Sequence, residues 1–128
     1  VAPVAGGIEL IVGARLDPRF GPIALVGIGG LYAEVLADVR VALAPASEAE
    51  ARELLLSLRA SPLLTGARGR SPLDVDAAAR AAAALSRVAA ERPEIAELEI
   101  NPLLVTTEGA LGLDARVVLR ERGDEDAG

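Results

Sequence analysis

Glu97, Glu99 and Asn101 stand in the stretch ELEINPLLV, residues 97–105, and Asp114 follows one short turn later. In an extended chain successive side chains alternate between faces, so these three share one face while Leu98 and Ile100 take the other. Carboxylate and amide oxygens are hard donors. A patch with two or three of them suits Mg²⁺, which keeps several waters and completes its shell with substrate phosphate oxygens. Whether Asp114 joins the patch depends on the turn between ELEINPLLV and ALGLDARVVL. A two-residue turn at Glu108-Gly109 sets Asn101 opposite Arg116, with Asp114 on the diagonal. A four-residue loop over 106–109 sets Asn101 directly opposite Asp114. Both keep Glu99, Asn101 and Asp114 on one face within mutual reach, and a three-residue loop does not. A solvated sheet face carrying incidental acids is the other reading of this pattern.

Two glycine-bearing stretches could meet phosphate. GIGG at 27–30 could present the backbone N–H groups of Gly29 and Gly30 to an anion, or could be a tight turn between strands. It is not a dinucleotide fingerprint, because Tyr32 fills the position of the required third glycine. GARGR at 66–70 could bind an anion through Arg68 and Arg70, or leave both solvated.

Composition removes several chemistries. The 128 residues contain no Cys and no His, and all 13 basic residues are Arg. Thiol nucleophiles, thiolate metal sites, a histidine base and a P-loop lysine are therefore excluded. The net charge of −6, with no basic cluster to offset it, argues against a nucleic-acid partner. The longest apolar run, IALVGIGGLYA at 23–33, is too short for a membrane span and carries three glycines. With no basic leader before an apolar stretch either, a cytoplasmic protein with no membrane contact is expected. The chain opens VAPVAGG without Met, which reads as a cut from a longer protein.

The elements that must position these residues follow from punctuation and period. Strands are predicted near 8–14, 23–28, 38–43, 96–105 and 110–118, with turns at LDPRFGP and TTEG. Ser47, with Glu50 three residues on, forms a capping box for a helix near 48–59. Pro72 and Asp74 open a second helix near 74–91, which ends before Pro93. Residues 62–70 read as a loop, and 120–128 as a disordered acidic tail. The order predicts an α+β domain, mainly antiparallel sheet with two covering helices. With only Phe20 and Tyr32 aromatic, the core must be built from Ala, Val, Leu and Ile.

Three blocks, GIELIVGARLDPRFGPIALVGIGGLYAEVLADVRVALAP, LLTGARGRSPLDVDA and EIAELEINPLLVTTEGALGLDARVVL, together resemble the ATP-grasp region of ADP-forming acyl-CoA synthetases (acetate–CoA ligases). The succinyl-CoA synthetase β chain shares the EINPL and LD pieces. The resemblance implies that residues 1–119 are the C-terminal part of an ATP-grasp domain. It implies part of an enzyme that converts ATP, a carboxylic acid and CoA to ADP, phosphate and acyl-CoA through an acyl phosphate and a phosphohistidine. In that family the Asn of EINP and the Asp one hairpin later ligate Mg²⁺, which maps the metal site onto Asn101 and Asp114. Glu99 matches the first member of a Glu-x-Asn pair, and Gly29 and Gly30 match a glycine turn near the phosphates. Glu9 and Glu34 match family positions without an assigned role. The cofactor implied is Mg²⁺ with ATP or ADP. The partners implied are the remaining half of the ATP-grasp domain and CoA-ligase domains or a separate subunit. The family's lysines and its phosphoryl-carrying His have no counterpart here, so no catalytic residue is assigned and this piece is not expected to be active alone. An alternative is a ligand-sensing synthetase-like domain fused to a protein acetyltransferase.

Overall fold

The computed structural model of the chain describes residues 7–29, 38–66 and 69–121. Strands β1 (Ile8–Asp17) and β2 (Gly21–Ile28) form a hairpin whose turn is made by Asp17. Its Oδ1 accepts the N–H groups of Arg19 at 2.8 Å and Phe20 at 3.1 Å, and Gly21 supplies the left-handed residue at φ 76°. β2 also pairs with β3 (Val39–Leu43).

Helix α1 (Glu48–Leu56) opens on the expected capping box. Ser47 Oγ accepts the Glu50 N–H, and Glu50 Oε1 accepts the Ser47 N–H, both at 3.0 Å. A short helix α2 (Ser61–Thr65) then occupies part of the stretch read above as loop. Pro62 lies in its first turn, and Gly66, at φ 92°, returns its N–H to the Pro62 carbonyl. One turn anchored by one buried side chain, Leu64, has too little length to show a helical period. Helix α3 (Val75–Glu91) is capped by Asp74, whose Oδ1 accepts the Ala77 N–H at 3.0 Å.

The chain closes with β4 (Ile95–Thr106), β5 (Gly109–Gly112) and β6 (Ala115–Leu119). The sheet order is β3-β2-β1-β4-β5, with β6 on the other stretch of the same β4 edge, and every pairing is antiparallel. Sequence reasoning predicts one strand over 110–118, but the structure splits it at Leu113–Asp114. The cause lies across from the break. Asn101 and Pro102 of β4 together oppose the single Ile11 of β1, a bulge, and Pro102 has no N–H to give the ladder. The Asn101 N–H to Asp114 carbonyl bond at 3.0 Å and the Leu113 N–H to Pro102 carbonyl bond at 2.9 Å bridge the gap.

The helices cover one face of the sheet. On that face Leu10, Val12 and Ala14 of β1 stand across from Leu103, Ile100 and Leu98 of β4. α3 lays Ala78, Ala79, Ala82 and Ala83 against them, and α1 adds Leu55. Alanine keeps the helix close to the sheet, which is how a core without rings reaches close packing. Each fully buried Leu or Val side chain contributes about 1.5–3 kcal/mol. Ser86, fully buried on α3, donates to the Ala83 carbonyl and accepts the Ala46 N–H at 2.9 Å, fixing the entry to α1. Asp38, also buried, accepts the N–H groups of Arg59 at 3.0 Å and Ala60 at 2.8 Å, fixing its exit. Arg120, where the tail was expected to begin, donates its N–H to the Glu94 carbonyl at 2.8 Å. The rest of that tail, 122–128, lies outside the described residues.

Candidate metal and phosphate site

The open face of the sheet carries the polar residues of β4. Thr106 pairs with Gly109 and Val105 with Ala110, so the hairpin register is the one that sets Asn101 opposite Asp114. The same register continues into β6, with Ile100 opposite Ala115 and Glu99 opposite Arg116. Residues directly across an antiparallel pair share a face, and so do residues two apart along a strand. Glu99 and Arg116 therefore share one face, and Asn101 and Asp114 adjoin them at the break, joined by the Asn101 N–H to Asp114 carbonyl bond. The bulge shifts the core-facing parity of β4 from Leu98 and Ile100 to Leu103 and Val105, which leaves Glu97, Glu99 and Leu104 outward.

β1 comes close to β4 beside this face at Gly13. Gly13 lies opposite Glu99, and a Cβ on Gly13 would stand 2.6 Å from the Leu98 carbonyl oxygen and 3.2 Å from Glu99 Cα. Only the absence of a side chain lets β1 approach the strand there. The Asn101–Pro102 peptide is cis.

The face is not purely acidic. Arg116 Nη1 lies 3.8 Å from Glu97 Oε1, the guanidinium side chain 63% exposed and the carboxylate 36%. Arg15 of β1 is directly across from Glu97 on the other side. Arg116 is legible in the sequence as a residue two steps from Asp114 on a predicted strand, and Arg15 lies just past the predicted strand 8–14, yet only the register reveals that they flank the patch. Asp114 Oδ1 accepts the Ala115 N–H at 2.9 Å, and both Asn101 and Asp114 are exposed.

Among the described residues, no three His, Cys, Asp or Glu side chains stand together closely enough to hold an ion on their own. The donor set here is two carboxylates and one amide oxygen, all hard. That set fits Mg²⁺ in the mode where water and phosphate oxygens complete the shell. The structure does not bring Gly29 to this patch. Its N–H is taken by the Glu9 carbonyl at 2.9 Å, two strands away from β4. Glu9 is opposite Leu104, on the far side of the bulge from Glu99. Gly30, Glu34 and Arg68 lie outside the described residues.

Comparison with known proteins places the chain in a family. The ATP-grasp domain family matches residues 1–119. Acetate–CoA ligase [ADP-forming] I of Archaeoglobus fulgidus is 42% identical over 118 residues, 92% of this chain and 17% of that protein. The β subunit of acetate–CoA ligase [ADP-forming] I of Pyrococcus furiosus is 40% identical over 113 residues, 88% of this chain and 49% of that subunit. Among solved structures, acetyl-coenzyme A synthetase 1 of Candidatus Korarchaeum cryptofilum, in complex with coenzyme A and Mg-AMPPCP, superposes with a TM-score of 0.84. It is 40% identical, over 93% of this chain and 55% of that one. The chain thus spans about half of the separate subunit and about a sixth of the single-chain ligase.

Proposed function

The chain belongs to the ATP-grasp domain family, and from that premise we propose that it is the nucleotide- and Mg²⁺-binding part of an ADP-forming acyl-CoA synthetase. The whole enzyme would convert ATP, a carboxylic acid and CoA to ADP, phosphate and acyl-CoA. The observation that carries this reading is the register of β4 against β5 and β6. It sets Asn101 across from Asp114 with Glu99 two residues back, on the face opposite the one that the described helices cover. Glu99, Asn101 and Asp114 would hold the ion, and nucleotide phosphates would lie over this face. When bound, the ion neutralises charge that develops on the transferring phosphoryl group.

The chain's own residues hold the donors in place. Backbone ladders fix β4 on either side of the interruption, and the Asn101 N–H to Asp114 carbonyl bond would hold these two donors next to each other. Because the chain contains no His, the phosphoryl-carrying histidine of such an enzyme would lie in the remaining polypeptide, as would the CoA site. The second half of the nucleotide site would also come from there, whether on the same chain or on a separate subunit. A cytoplasmic setting belongs to this reading. No helix among the described residues is long and apolar enough to cross a membrane.

The test is Asp114→Asn in the full-length enzyme. It preserves size and an exposed polar group, so the fold should survive. Removing a charge that supports phosphoryl transfer should lower kcat by about 100-fold and raise the Mg²⁺ concentration needed for half-maximal rate. An Asp114→Asn enzyme with unchanged kcat and Mg²⁺ dependence would refute the assignment.

A further inference from the structure

The cation beside the acids has no part in the ion-binding set. Arg116 is directly across from Glu99 and two residues beyond Asp114, on the same face. Its guanidinium is 63% exposed and rests 3.8 Å from Glu97, longer than a hydrogen bond. An exposed pair at that distance contributes little to stability and is readily given up. Glu97 would not be stranded if Arg116 left, because Arg15 faces it directly from β1. Phosphate offers a guanidinium what Glu97 does not give here, a fork of short charge-assisted hydrogen bonds.

We propose that Arg116 is a phosphate-binding residue of this face, held loosely by Glu97 until a nucleoside polyphosphate arrives and then transferred to its phosphate oxygens. The proposal rests on the reading of the face as a nucleotide site. It adds a second, metal-independent contact to that site. The ion and Arg116 would take different oxygens of one phosphate chain, and Glu97 would act as the competitor that keeps Arg116 over the face in the empty state.

The experiment is calorimetric titration of the full-length protein with ADP, once in EDTA and once with Mg²⁺. The variants are Arg116→Gln, Arg116→Lys, Glu97→Gln and Asp114→Asn. Arg116→Gln should weaken metal-free ADP binding about 10- to 100-fold, the loss typical of a hydrogen bond to a charged group. Arg116→Lys should recover part of it, since the charge remains and the fork does not. Glu97→Gln should tighten ADP in EDTA several-fold by releasing Arg116. Asp114→Asn should leave the EDTA affinity intact or tighter and blunt the gain given by Mg²⁺. If Arg116→Gln and Arg116→Lys bind ADP as the parent does while Asp114→Asn alters the Mg²⁺ response, Arg116 is only a surface ion-pair residue and the proposal fails by itself. If all four variants match the parent in both buffers, the face is not a nucleotide site, and the functional reading fails with it.

Discussion

Gly13 offers the sharpest test of how the fold positions the site. Its backbone is not in the left-handed region, so alanine would meet no conformational penalty there and any cost is spatial. The added Cβ would stand 2.6 Å from the Leu98 carbonyl oxygen and 3.2 Å from Glu99 Cα, whereas ordinary contacts lie at 3.4–4 Å. Both are main-chain atoms, held by ladders to β1 and β6, so no rotamer change can relieve the overlap. One strand must move by several tenths of an ångström. Overpacking of this kind costs about 1–3 kcal/mol. For a domain of this size that is a loss of roughly 3–15 °C in Tm. The displaced residues are Leu98 and Glu99, so the damage should extend from stability to function. Gly13→Ala should weaken Mg·ADP binding in the full-length protein even at temperatures where it is fully folded. Gly21→Ala is the control. At φ 76° it strains the turn but meets nothing within 4 Å, so it should lower Tm without touching nucleotide affinity. Thermal unfolding and calorimetry on the two variants decide the matter. A Gly13→Ala protein with unchanged Tm and Mg·ADP affinity would show that β1 does not set the height of the metal strand.

Two further outcomes are expected. Asp17 titrates below the ordinary carboxylate range because its carboxylate accepts the N–H groups of Arg19 and Phe20, and Glu50 does so because of its bonds to Ser47. With folded-state values depressed, their contribution is complete above the ordinary range and lost as pH falls below it. Asp17→Asn with Glu50→Gln should therefore flatten the acid limb of a stability–pH curve below about pH 4, by lowering stability at neutral pH while leaving the acid end little changed. The 128-residue chain alone should fold yet bind ATP only near millimolar, about −4 kcal/mol, since one wall of the site is present. Micromolar binding by calorimetry would mean that the missing half contributes little.

How far the residues announce this structure depends on whether their signals are local. The capping box at Ser47, the Asp74 cap and the LDPRFGP turn each reside in a few consecutive residues, and each forms as read. The antiparallel α+β order follows from hairpin-length connections. What escaped is what depends on two segments meeting. The two hairpin registers that the sequence allowed differ in whether Asn101 faces Arg116 or Asp114, and no local preference separates them. The structure adopts the register that pairs Thr106 with Gly109, and the bulge at Asn101–Pro102 lets Leu98, Leu103 and Val105 of β4 all reach the core across a change of parity. A bulge cannot be read from alternation, because it is the place where alternation breaks. Pro102 was the one local hint, a residue that cannot donate to a ladder in the middle of an otherwise continuous strand. Asn101 precedes it, at the interruption. A strand that is paired throughout commits its backbone evenly and presents side chains at fixed spacing. Where the ladder is interrupted, as at Asn101 and at Asp114 opposite it, two side chains from different strands can face the same open patch. The irregularity that hid the break in β5–β6 from sequence reasoning is therefore the same one that gives the candidate site its place on the sheet.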